Sequence, residues 1–372
     1  MRKTMFRGLF GASLALLLPL ASCVDPNDAG GGSTSGTALY VFDASDTTTA
    51  GRIRVWNDAN TLYANPLASP DRTLSGTLLD KVATLGWGGM CLDSSANRLF
   101  LVSESGDVVR VERIRNQSGT LSSTTDIVTF SLGSGSTDRL PSGRFGQAAI
   151  DSGTDTLYVT ETNDSESRVW VVTNPELYGL NGVVTRQTIQ VAGDTHGTGV
   201  AAWQGSVYAY FGSGNSVISP DLTQFNGPRL RRGNSAGFGI SSIYPLIGSS
   251  TLLANYGALA FDSGNNQLYL ARHLTDASAS GAPILVYTLG QFTTGLNQAP
   301  AKTLGSGSDF DNLSLRILSH GGSKDWLAAG TSTAGLAGNR LYLWKNPLSA
   351  TTPRTINLSG AAIRGLAFDG NN

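Results

Sequence analysis

From residue 38 onward the chain alternates short apolar runs with polar turns, and one arrangement of the two keeps returning. An apolar run leads into an Asp-containing turn and out into a second apolar run, as in Met90-Cys91-Leu92-Asp93-Ser94-Ser95-Ala96-Asn97-Arg98-Leu99-Phe100-Leu101-Val102. Residues 148–160 and 258–270 repeat it closely; 200–209 and 315–328 repeat it loosely. Runs of this length predict strands, and the Asp, Ser, Gly and Asn between them accept the positive φ of tight hairpin turns. A third strand is predicted at 52–56, 168–172, 284–287 and 340–344, and a poorer fourth at 71–76, 301–305 and 354–358. Four antiparallel strands returning on the order of every 50 residues predict the blades of an all-β propeller.

The two ends of the repeat complete each other. Gly365-Leu366-Ala367-Phe368-Asp369-Gly370-Asn371-Asn372 is an inner strand and turn with no second strand behind it, whereas Ala38-Leu39-Tyr40-Val41-Phe42-Asp43 is a second strand with no inner strand before it. Joined, they predict that the C-terminal strand is the innermost strand of the first blade, which closes the ring and leaves no open edge. Inner strands near residues 90, 148, 200, 258, 315 and 366 predict six blades of four strands. Seven is the rival count, because residues 219–255, with Pro220, Pro228, Arg229, Arg231, Arg232 and Pro245, fit the template poorly. The Asp turn followed by Leu157-Tyr158-Val159 or Leu268-Tyr269-Leu270 resembles the repeat core of the six-bladed TolB-like and NHL-like propellers. That resemblance spans 38–372 and implies the fold. The superfamily includes scaffolds, receptors, lactonases and lyases, so it implies no single activity.

The N-terminus follows a different pattern. A basic start, Met1-Arg2-Lys3-Thr4-Met5-Phe6-Arg7, precedes an apolar stretch from Gly8 to Leu20, as in a secretory signal. The stretch is too short to cross a bilayer, which takes roughly 20 apolar residues. It ends in Leu20-Ala21-Ser22-Cys23, which resembles the lipobox of bacterial lipoproteins. The resemblance implies that residues 1–22 are removed and that Cys23 carries lipid, with each buried CH₂ adding about 0.8 kcal/mol of membrane affinity. Residues 23–37, rich in Gly and Ser, are expected to be a flexible tether to a single propeller domain at 38–372. Val24 follows the cysteine where an Asp retains some lipoproteins in the inner membrane, so the outer membrane is the expected address.

Composition narrows the chemistry. Only 14% of residues are charged and the net charge is −1, with the arginines scattered, which argues against nucleic acid as a partner. There are two cysteines; with Cys23 lipidated, no intrachain disulfide is available, and Cys91 reads as a small buried hydrophobe. Segments entering the inner strands of a propeller are expected to meet at its axis. There the copies carry Gly88, Gly146, Gly199, Gly257 and Ser314, with Arg364 in the last, as suits crowded backbones. Just before them stand Trp87, Arg144, Phe145, His196, Asn255, Tyr256, Asp311 and Asn312. With Arg364, these are the candidate axial pocket, a mix of aromatic faces, cations and carboxylate suited to a polar or sugar-like ligand.

Catalytic and metal signatures are thin. His196, His273 and His320 fall in different repeats without paired spacing, so no metal site is predicted. Residues 161–166, Glu161-Thr162-Asn163-Asp164-Ser165-Glu166, offer oxygens to calcium but read first as a solvated acidic turn. The expected function is a non-catalytic envelope module, anchored in the membrane by its lipid, that binds an envelope protein or a glycan. The alternative is a hydrolase or lyase at the axial mouth, lactonase-like and calcium-assisted.

Overall fold

The computed structural model describes residues 36–44, 51–82, 85–122, 124–134, 138–190, 194–213, 216–217, 224–225, 227–238, 246–248, 251–253, 256–272, 284–294, 297–305, 315–321, 326–331, 340–350, 352–358 and 362–369. Cys23 and residues 24–35 of the expected tether lie outside them, as do Asn255, His273, Asp311, Asn312 and Ser314. Thr37, expected in the tether, belongs instead to the propeller: it is buried, and its carbonyl accepts from Ala59 N–H (2.8 Å).

Six sheets form six blades, each with four strands in antiparallel order from the inside outward. The innermost strands are Ala362–Asp369 in blade 1, Leu85–Asp93 in blade 2, Arg144–Asp151 in blade 3, Thr195–Trp203 in blade 4, Tyr256–Asp262 in blade 5 and Leu315–His320 in blade 6. Each of these six lies beside the next, and that of blade 6 beside that of blade 1, so the ring is closed. Closure is made by the C-terminus: Leu39 faces Phe368 and Val41 faces Leu366 in an antiparallel pair. Among the described residues the irregular region holds no seventh blade. Arg229–Gly233 and Leu246–Ile247 are the third and fourth strands of blade 4, and Ser216–Val217 with Gln224–Phe225 is a short ribbon apart from that sheet.

Why the strands read as continuous apolar runs is now plain. A strand in the middle of a blade is covered on both faces by the neighbouring blades, so both sets of alternating side chains are buried. Phe100 and Val102 pack toward blade 3, for example, whereas Leu99 and Leu101 pack toward blade 1. Six apolar clusters result, one in each interface between adjacent blades.

The Asp that marks four of the repeats holds blades together. Asp93 accepts from Ser95 N–H (3.2 Å) and Ala96 N–H (3.2 Å) in its own turn, and also from the Ser152 hydroxyl of the next blade (2.8 Å). Asp151 likewise accepts from Gly153 N–H of its own turn and from Gly205 N–H of blade 4. Asp369 of blade 1 takes two bonds from Arg115 of blade 2 (2.6 and 2.8 Å), and Asp262 of blade 5 lies 3.4 Å from His320 Nε2 of blade 6. The left-handed residues of these turns stand later: Asn97, Asp155, Gln204 and Asn266, just before the second strand. On the outside, Gly119–Thr120 of blade 2 adds in parallel to the last strand of blade 1, and Gly182–Val184 of blade 3 adds to that of blade 2.

One such interface is sensitive to pH. Burial and the adjoining Glu176 carboxyl push the Asp155 carboxyl up to about 6, with Arg98 pulling the other way. An acid that holds its proton more tightly when folded makes folding less favourable as pH rises between its unfolded and folded values, here from 3.8 to about 6. Asp155→Asn keeps a residue at ease with positive φ and removes the charge. Discounted for partial solvent exposure, the substitution is expected to stabilise the protein by about 1 kcal/mol at pH 7.5 and by nothing near pH 3.5, as read from urea unfolding at the two pH values.

Candidate functional site

At one level in every blade the pairing of the first two strands slips. In blade 1 Arg364 is the extra residue, between pairs Asp43 with Ile363 and Phe42 with Gly365. Thr198, Gly257 and Arg316 hold the same place in blades 4, 5 and 6. In blade 3, Gly146 and Gln147 oppose Thr160 alone, and blade 2 has a longer irregularity between Leu85 and Met90. A bulge bends its strand and re-aims the side chains around it. Side chains on the entry side of the bulge therefore do not all meet on the axis.

The crowding expected at the axis is present at the bulge. A Cβ on Gly199 would stand 1.8 Å from the Gly257 carbonyl oxygen, which is backbone against backbone. Gln147 ties the same strands from the side. Its Oε1 accepts from Val200 N–H (3.1 Å) and Leu259 N–H (2.8 Å), and its Nε2 donates to the Leu259 carbonyl (2.5 Å). One buried amide thus bridges the inner strands of blades 3, 4 and 5. Gln147 also borders the axial cavity, about 150 Å³, which is lined further along by Leu92, Ile150, Ala202, Phe261, His320 and Phe368.

A larger cavity, about 850 Å³, opens between blades 3 and 4 on the entry side. Arg144, the first residue of its strand, and His196, the second of its own, both line it, together with Thr198. Pro141 and Ser142 contribute the approach to blade 3, and residues 162–166 the turn between its second and third strands. Arg144 and His196 are exposed. Ser142 (φ 54°) and His196 (φ 54°) are both left-handed, an uncommon state for residues other than glycine and one that concentrates at functional sites.

Both walls are braced from behind. Glu161 is buried and receives Leu140 N–H (2.7 Å), Arg168 Nε (2.7 Å) and Trp170 Nε1 (2.6 Å), so the segment carrying Pro141 and Ser142 is pinned to the blade. Asn163 Oδ1 accepts from Ser165 N–H (3.0 Å) and Glu166 N–H (2.8 Å), while its Nδ2 donates to the Pro141 carbonyl (3.1 Å). Gly197 N–H donates to Ser167 Oγ (2.7 Å), which joins blade 4 to blade 3 beneath the cavity. The His196 Nδ1 is 3.0 Å from Thr195 Oγ1. Asp194, just upstream, is buried between Arg229 and Arg231, which explains two arginines of the irregular region; Arg232 lies over the Tyr208 ring instead.

Of the nine pocket residues expected from the repeat, the structure brings Arg144 and His196 together. Phe145 points away from the mouth: it is buried against Trp170, under Arg139, in the core between blades 2 and 3. Neighbours in a strand face opposite sides, so Arg144 and Phe145 never share a cavity. Arg364 sits half-buried at the bulge of blade 1, with interactions of its own. Trp87 and Tyr256 are in their strands, with side chains outside the described residues, where Asn255, Asp311 and Asn312 also fall. Ser142, Thr198 and Glu166 were not singled out from the sequence as pocket residues. Glu161, offered there as a calcium ligand, is committed instead to the buried network. Burial raises the Cys91 thiol well above its ordinary range, as befits a packed side chain rather than a nucleophile.

No protein-family model matches the chain, and no curated protein matches it in sequence. Solved structures do match in shape. A chain of a nidogen/laminin complex aligns over 90% of this chain and 98% of its own, with a TM-score of 0.51 at 12% identity. TolB from Acinetobacter baumannii aligns over 91% of this chain and 67% of its own, with a TM-score of 0.53 at 12% identity. The likeness is one of fold. A PQQ-bound aldose sugar dehydrogenase from Streptomyces coelicolor follows at 0.48, with 15% identity over 75% of this chain and 84% of its own.

Proposed function

We propose that the protein is a lipid-anchored propeller of the bacterial cell envelope that binds a polar ligand, a glycan or a segment of an envelope protein, in the groove between blades 3 and 4. The observation that carries this reading is the pairing of Arg144 and His196, from neighbouring inner strands, in one cavity large enough for a disaccharide or short peptide. The anchor part rests on residues 1–23, with Cys23 lipidated, a Gly- and Ser-rich tether after it and the outer membrane as the address. A propeller matched in shape comes from a nidogen/laminin complex, so partner binding is one use of this architecture.

Binding is favoured because the groove presents charged and hydroxyl side chains that suit holding a ligand. His196 beside Arg144 also favours a second reading, a hydrolase or lyase at the same mouth. The two readings part on turnover. The full chain in detergent, screened against envelope glycans and peptides, is expected to retain a ligand unchanged. Arg144→Ala is expected to weaken that binding by about tenfold to a hundredfold, as the loss of a charge-assisted hydrogen bond does, with no change in melting temperature. Ligand cleaved on the protein would favour the enzyme, and undiminished binding by Arg144→Ala would move the site elsewhere.

A further inference from the structure

The charges of the groove narrow the ligand further, on the assumption that the groove is the binding site. Arg144 lies on the innermost strand of blade 3, paired across the strands with Thr162, and Asp164 and Glu166 stand in the turn of the same blade that follows. Among the described residues Arg144 forms no ion pair, and neither does Asp164 or Glu166. The backbone of residues 163–166 is fixed by Asn163, whose N–H also donates to the Glu166 carbonyl (3.0 Å), so the acidic side chains are carried on a braced turn. Opposite charges thus line one cavity without neutralising each other.

A ligand of one sign would satisfy one charged group and be repelled by the other, while a neutral one would leave both without a charged partner. A ligand bearing both signs satisfies both. We propose that this groove takes a zwitterion: its carboxylate is received by the Arg144 guanidinium, whose planar fork suits two parallel hydrogen bonds, and its ammonium by Glu166. His196 and the hydroxyls of Ser142, Thr162, Ser165 and Thr198 supply further hydrogen bonds between the two ends. Thr198 Oγ1 has no hydrogen-bond partner among the described residues. Two sources share this chemistry, a short peptide with free ends and an amino sugar that bears an acid group.

Calorimetric titration of the full chain in detergent separates the cases, with alanyl-alanine and muramic acid as the two zwitterions and the N-acetyl and methyl ester forms of each as controls. At least one zwitterion is expected to bind, which identifies the source, and acetylation or esterification is each expected to weaken it by about tenfold or more. Glu166→Gln should erase the preference for the free amine and keep the preference for the free acid; Arg144→Gln should do the reverse. Failure of both zwitterions to bind, equal binding of the acetylated form, or an amine preference that survives Glu166→Gln would overturn the inference. The groove reading is judged separately, by whether Arg144→Ala weakens capture of envelope glycans and peptides.

Discussion

Replacing Gly199 with alanine is expected to destabilise the propeller by roughly 3–5 kcal/mol or to prevent folding. The added methyl would meet the Gly257 carbonyl oxygen at 1.8 Å, where two inner strands approach backbone to backbone. A side chain in the way turns aside for little; a main chain held in a closed ring does not. The strands cannot part without opening the interface between blades 4 and 5, where Ala201, Tyr208 and Leu230 pack against Leu259, Leu268 and Leu270. Gly205→Ala is a useful control, since its nearest neighbour stands at 3.9 Å and its cost comes only from positive φ. Urea unfolding of both variants reads the difference. A Gly199→Ala protein as stable as the parent would mean that these strands do not approach as described.

The second large effect is expected at Gln147. Substitution by leucine keeps the volume close to constant but removes the partners of Val200 N–H, Leu259 N–H and the Leu259 carbonyl, all at the axis. A buried polar group left unpaired costs about 1–3 kcal/mol, and water entering from the adjoining cavity offsets part of that, so about 2–4 kcal/mol is expected for the three together. Because the bridge joins three blades, the loss should also be visible locally. Amide exchange at Val200 and Leu259 is expected to accelerate more than exchange in blades 1 and 6. Uniform acceleration around the ring would show that Gln147 contributes only ordinary packing.

The fold was legible because a propeller imposes a simple rule on its strands. Burial on both faces produces unbroken runs such as Leu99-Phe100-Leu101-Val102, and a closed ring produces complementary ends, here Ala38–Ala44 and Ala362–Asp369. The purpose of the signature Asp was hidden, since its partners Ser152, Gly205 and Arg115 lie in the following blade at no fixed spacing. The site was legible only in part. Counting back from the turn aligns the copies only approximately: Thr198 and Arg316, not Gly199 and Ser314, stand at the bulge with Gly257 and Arg364. Arg144 and His196 meet because their blades are adjacent, and Phe145 turns inward because it is one residue further on. Gln147 looked like any polar residue; only the spacing of the inner strands reveals that its amide spans them.

Ligand entry between blades 3 and 4 is read by hydrogen exchange on the full chain with the tightest-binding glycan or peptide of the envelope panel. Protection is expected at residues 140–144, 162–167 and 195–198 and at no other blade interface. Protection concentrated around Trp203 and Phe261, or spread evenly over the ring, would contradict it.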